Sequence, residues 1–135
     1  MANTTFTGPV NSLNGFVGSI TGNITGNVTG NVTGDLTGRV FGTVGTRSGA
    51  GAVPITSGTV RLTTTGADAL TLANGANGQL LTIVMVADGG DGTLTPTTKT
   101  GYTTITFNDV GDSVTLQYFT TLGWMIVSNV GATVA

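Results

Sequence analysis

Between Gly18 and Val44 the chain keeps a strict period of four residues. Gly18, Gly22, Gly26, Gly30, Gly34, Gly38 and Gly42 alternate with Ile20, Ile24, Val28, Val32, Leu36, Val40 and Val44. Glycine and aliphatic positions fall two residues apart, so an extended backbone puts both on one face and the intervening polar residues on the other. A face that alternates no side chain with an aliphatic one suits close approach of a neighbouring backbone, whose own aliphatic groups fill the gaps. A single straight copy would bury too little to offset the entropy of ordering it. The pattern therefore predicts an intertwined stem over 18–45, in which copies wind around an apolar axis and exchange backbone hydrogen bonds as a parallel homotrimer.

Other repeats fit less well. Collagen needs glycine at every third position, and the coils of a single-chain β-solenoid are far longer than four residues. The threonines of the repeat lie along one extended line rather than on successive coils, which argues against an ice-binding solenoid. A flexible linker would not keep aliphatic residues in phase with glycine.

On either side the texture changes. Residues 1–17 carry Phe6, Gly8, Pro9, Val10, Leu13, Asn14, Gly15 and Phe16, too apolar for a solvated tail, with a kink at Pro9 and a turn signal at Asn14-Gly15. This arm either packs under the stem or inserts into another protein. Residues 46–58 lose the register and read as a flexible joint. Beyond it, seven short β-branched or aromatic runs, Thr59–Thr65, Ala69–Ala73, Leu80–Ala87, Thr93–Thr97, Tyr102–Phe107, Ser113–Phe119 and Gly123–Ser128, are separated by Asn/Asp/Gly turn clusters. They predict a small antiparallel β-sandwich or barrel, a knob over 59–135. Leu80–Val86 is almost wholly apolar and is expected to be a central strand covered on both faces. The last two runs form a hairpin carrying Tyr118, Phe119 and Trp124. No helical period occurs, so the expected fold class is all-β: a trimeric Gly/Val stem followed by the knob.

Composition narrows the function classes. Of 135 residues only 7% are charged, the net charge is −2, and His, Cys and Glu are absent. Arg39, Arg47, Arg61 and Lys99 are scattered, so neither nucleic acid nor an anionic membrane is an expected partner. No run approaches the roughly 18 apolar residues of a membrane span, and no secretory leader is expected. The Asn-x-Thr triplets starting at Asn3, Asn23, Asn27 and Asn31 then read as by-products of the repeat rather than glycan acceptors. A Ser-His-Asp triad, a thiolate nucleophile and an imidazole metal site are all out of reach. Asp88 with Asp91, and Asp109 with Asp112, sit in turns where an aspartate more often caps its own backbone than binds Ca²⁺ or serves a glycosidase. The expectation is no enzyme, no cofactor, no metal and no catalytic residues. Trp124, Tyr118 and Tyr102 would make a sugar platform if exposed, but packing is the expected role in so small a domain.

The opening Ala2–Phe16, with its Gly8-Pro9-Val10, Ser12 and Asn14-Gly15-Phe16, resembles the start of virion structural proteins of tailed phages, marine and cyanobacterial ones in particular. The Thr-Gly-Asn-Val repeat looks like fibre shaft segments, and Thr82–Val86, Asp88–Asp91, Thr104–Leu116 and Asn129–Ala135 are similar to a β domain that ends many such proteins. The resemblance implies a virion protein made in the host cytoplasm and displayed on the particle's outer surface. It implies a homotrimeric capsid decoration, or cement, protein whose arm, Phe6 to Phe16, binds the major capsid protein or another virion protein. The alternative is a short tail fibre or spike tip that binds a host receptor or surface glycan.

Overall fold

The computed structural model describes residues 39–135 together with Asp35 and Thr37. The arm and the repeat positions Gly18, Ile20, Gly22, Ile24, Gly26, Val28, Gly30, Val32, Gly34, Leu36 and Gly38 lie outside the described residues. Gly38–Ala135 forms one compact unit. Its strands are β1 (Val44–Ser48), β2 (Gly51–Ala52), β3 (Thr59–Thr63), β4 (Asp68–Leu72), β5 (Leu80–Ala87), β6 (Gly92–Pro96), β7 (Ile105–Phe107), β8 (Ser113–Phe119), β9 (Gly123–Val130) and β10 (Thr133–Val134). None of the described residues is helical. Two five-stranded sheets result: sheet A in the order β1-β3-β5-β8-β9 and sheet B in the order β10-β7-β6-β4-β2.

The chain switches from one pairing mode to the other halfway through. β1, β3 and β5 pair in parallel in sheet A, and β2, β4 and β6 do so in sheet B. Parallel neighbours need a crossover, and each finds it in the opposite sheet, so 44–96 winds as three stacked coils. From β7 onward every pairing is antiparallel. The expected knob is thus all-β and two-layered but only half antiparallel. Short runs of similar length and composition are compatible with either ladder, and turn clusters mark where strands stop without saying which sheet the next one joins. Seven connections pass between the sheets: five, 49–50, 64–67, 88–91, 108–112 and 131–132, gather at one end of the unit, called here the crossover end, and two, 53–58 and 73–79, lie at the other. β1 begins at the end opposite the crossover end.

The segment read as a joint is part of this unit. Three residues of β1 and all of β2 lie within 46–58, Val53 is buried at 3% exposure, and the Val53 N–H donates to the Thr71 carbonyl at 2.8 Å. Its Gly and Ser content serves tight packing: a Cβ on Gly45 would lie 2.8 Å from Ser57 Oγ, and one on Gly51, at φ +120°, would lie 2.8 Å from the Arg47 guanidinium. Glycine here is steric room, not slack.

Strict alternation builds the core. Val60 and Leu62 of β3, Leu81, Ile83 and Met85 of β5, and Val114 and Leu116 of β8 point inward from sheet A; Leu70, Leu72, Leu94, Ile105 and Phe107 meet them from sheet B. The other face of β5 is not covered by the described residues: Leu80 is 54% exposed and Val84 is half-buried. The expectation of a strand covered on both faces is corrected accordingly, because sheet B supplies one layer only. Outward positions form threonine rows across both sheets, with Thr82 and Thr115 hydroxyls 3.1 Å apart on A and Thr93 and Thr106 hydroxyls 3.4 Å apart on B. Every buried side-chain nitrogen or oxygen among the described residues has a partner.

Candidate functional site

The aromatic cluster is structural. Trp124 is fully buried, its Nε1 donates to the Ala73 carbonyl at 2.8 Å, and its ring meets Tyr118 edge-on with centroids 5.3 Å apart. The Tyr102 hydroxyl donates to the Trp124 carbonyl at 3.1 Å, and burial pushes its pKa up from 10.0 to about 12. Gly75 has no side chain because a Cβ there would lie 2.8 Å from Trp124 Cζ2. Trp124 and the buried Tyr118 therefore close the end of the core opposite the crossover end, with the half-buried Tyr102 packed against them.

The aspartates act on their own turns. Asp112 Oδ2 accepts the N–H groups of Asn108 and Asp109 at 2.7 and 3.1 Å, Asp68 Oδ2 accepts that of Thr65 at 2.8 Å, and Asp88 Oδ1 accepts that of Gly90 at 2.8 Å. These bonds replace backbone partners the turns lack. Asp68, Asp88, Asp91, Asp109 and Asp112 all lie at the crossover end, which makes that end acidic, while Lys99 sits at the other, its Nζ donating to the Pro96 carbonyl at 2.9 Å. Among the described residues, no three His, Cys, Asp or Glu side chains gather around a common point, and no pocket is found.

What remains is surface. Three repeat positions are described just before and at the start of β1, and all are exposed: Val40 is 72% exposed, Gly42 faces open space and Val44 is 61% exposed, beside Phe41 at 85%. Inward positions of β1 are the odd-numbered Gly45 and Arg47, paired with buried Val60 and Leu62. Val44, the last aliphatic position of the repeat, therefore lies on the outer face of sheet A. That face holds Val44, Leu80, Val84, Phe119, Met125 and Val130 among its threonines, and Arg61 is its one charge among the described strands. The outer face of sheet B is built differently, from Ala52, Ala69, Thr71, Thr93, Thr95, Thr106 and Thr133.

Of the sequence-derived site residues, the structure describes only Val40, Gly42 and Val44, with Val40 and Val44 exposed and Gly42 in open space. The arm residues Phe6, Gly8, Pro9, Val10, Leu13, Asn14, Gly15 and Phe16 lie outside the described residues. Sequence reasoning missed Phe41, Leu80 and Val130. The apolar excess of Leu80–Val86 was the signal for Leu80, since it exceeds what a strand with one buried face needs, and no comparable pattern marks Phe41 or Val130. No known protein family and no curated protein matches the chain.

Proposed function

We propose that this chain is a virion structural protein of a tailed phage: a homotrimeric capsid decoration protein, attached to the shell by its N-terminal arm and displaying the β unit outward. The observation that carries the oligomeric part is the exposure of the repeat's apolar phase where it joins β1, with Val40 at 72% and Val44 at 61%. Chains that expose in-phase aliphatic residues beside glycine gaps are suited to pairing with copies of themselves. The shell attachment rests on the resemblance of Ala2–Phe16 to phage virion proteins and on the apolar content of that arm. A small unit whose polar groups serve its own turns suits a structural role. Glycan recognition through aromatics has less support, because Trp124 and Tyr118 are interior.

The test is a decoration assay. Full-length protein should sediment as a trimer and bind empty phage shells, and a variant lacking residues 1–17 should keep its fold and lose shell binding. A truncated protein that still decorates shells would move the anchor elsewhere, and binding to tail structures alone would favour the fibre-tip reading.

A further inference from the structure

We infer that Asn74 is a self-modifying residue: the backbone nitrogen of Gly75 closes on its side-chain carbonyl and converts the amide to aspartate or isoaspartate. The inference is independent of the oligomeric reading above. The reaction needs water and no other reagent. Having given its proton to hydroxide, the Gly75 nitrogen forms a bond to Asn74 Cγ, and the Cγ–Nδ2 bond breaks as ammonia leaves with a proton taken back from water. A further water opens the resulting succinimide ring at either carbonyl. One opening restores the ordinary backbone as aspartate, and the other reroutes it through the side chain as isoaspartate. Glycine favours the closure, since no Cβ shields its nitrogen.

Four Asn-Gly or Asp-Gly peptides lie among the described residues, and the fold guards three of them. The Gly78 N–H donates to the Tyr118 carbonyl at 2.8 Å, and Asn77 Oδ1 accepts the Thr120 N–H at 3.2 Å. The Gly89 N–H donates to Thr64 Oγ1 at 3.0 Å, while Asp88 Oδ1 accepts the Gly90 N–H at 2.8 Å. Gly92 is buried in β6, paired with Asp68 of β4 and Phe107 of β7. Asn74-Gly75 differs. Asn74 is exposed, and neither its side chain nor the Gly75 N–H is hydrogen-bonded to a described residue. The bonds that hold this loop fall on either side of the pair: the Ala73 carbonyl accepts from Trp124 Nε1 at 2.8 Å, and the Ala76 N–H donates to Gln79 Oε1 at 2.9 Å. The glycine itself is imposed, because a Cβ at position 75 would lie 2.8 Å from Trp124 Cζ2. Packing of the buried tryptophan thus requires glycine after Asn74, and the loop leaves that peptide unbonded. Isoaspartate would add a methylene to the backbone between Ala73 and Gly75, the two residues that meet Trp124, so conversion acts on the packing of that ring.

The test ages the full-length protein in mildly alkaline buffer and maps its peptides by mass spectrometry, with a protein isoaspartate methyltransferase and labelled S-adenosylmethionine counting isoaspartate. In the folded protein Asn74 should convert at least about tenfold faster than Asn77. In urea, where the fold guards neither pair, the two should convert at similar rates. Asn74→Gln should abolish most of the isoaspartate formed in 73–79, and since Asn74 is exposed and unbonded the change leaves the fold intact. The converted fraction should also unfold at lower denaturant than fresh protein, read on the fluorescence of the one tryptophan. Equal rates for Asn74 and Asn77 in the folded protein, or an Asn74 that stays an amide there while converting in urea, overturn the inference. A converted fraction as stable as fresh protein overturns its coupling to Trp124.

Discussion

Trp124 is tied into the fold on several sides: it is fully buried, donates to the Ala73 carbonyl, stacks edge-on with Tyr118 and receives Gly75 against its ring. Trp124→Ala should therefore lower stability by about 3–5 kcal/mol, read as a shift in the denaturant midpoint of the β unit. A loss near zero would place the ring on the surface. Tyr102 makes a finer statement. Its hydroxyl must keep its proton to donate to the Trp124 carbonyl, and burial raises its pKa from 10.0 to about 12. The folded state thus binds this proton more tightly than the unfolded chain. The stabilisation is complete below pH 10.0 and is lost as pH rises toward about 12. Melting temperature measured across that window should fall, and Tyr102→Phe should flatten the decline while lowering stability at neutral pH by about 1 kcal/mol through the missing hydrogen bond.

At the scale of elements, turns and edges carry the consequences. Gly123 begins β9 at φ +76°, with the Thr98 carbonyl pressed against its Cα so that it can accept the Trp124 N–H at 2.9 Å. Gly123→Ala should destabilise by about 2–4 kcal/mol, since it adds both a disfavoured φ and a clash with backbone. Gly58, in open space before β3 and without a positive φ, is the internal control: Gly58→Ala should be neutral or stabilising by about 0.5 kcal/mol, because it restricts the unfolded chain. Equal effects of the two in thermal melts would mean that the 97–104 loop does not pack on β9. The parallel edge is managed as well. Arg47 lies on the inward row with buried Leu62 and Met85, and its Nε donates to the Gly49 carbonyl at 3.0 Å. An inward-pointing cation on an edge strand discourages a further strand from extending the stack.

For the whole molecule, the proposed assembly sets the expected response of the repeat. Gly30→Val should lower the melting temperature of the assembled protein far more than Asn31→Val, because only Gly30 stands on the face that approaches a neighbouring backbone. Similar losses for both, measured by calorimetry on the full chain, would mean that the faces of the repeat are assigned the wrong way round. The β unit responds independently of this, since its core is complete within one chain: sixteen buried apolar residues drawn from both sheets form one cluster. The proposed assembly would then add to a fold that already exists.

The sequence by itself determined the strands of 59–135 except the short β10. All seven expected runs became strands within a few residues, and Asp68, Asp88 and Asp112 cap turns as turn aspartates do. Alternation and turn chemistry are local, so they can be read from neighbours along the chain. The tertiary structure alone decided three things. Parallel or antiparallel pairing depends on which distant strand is met, as when β3 takes β1 and β5 as partners. Residues 46–58 became strand because β3 and β4 offered hydrogen bonds that no local preference announces. Which face of β5 is buried followed from where sheet B lies, and that left Leu80 and Val84 facing outward. Each is a choice among partners far apart in sequence, made by the geometry of the packed sheets.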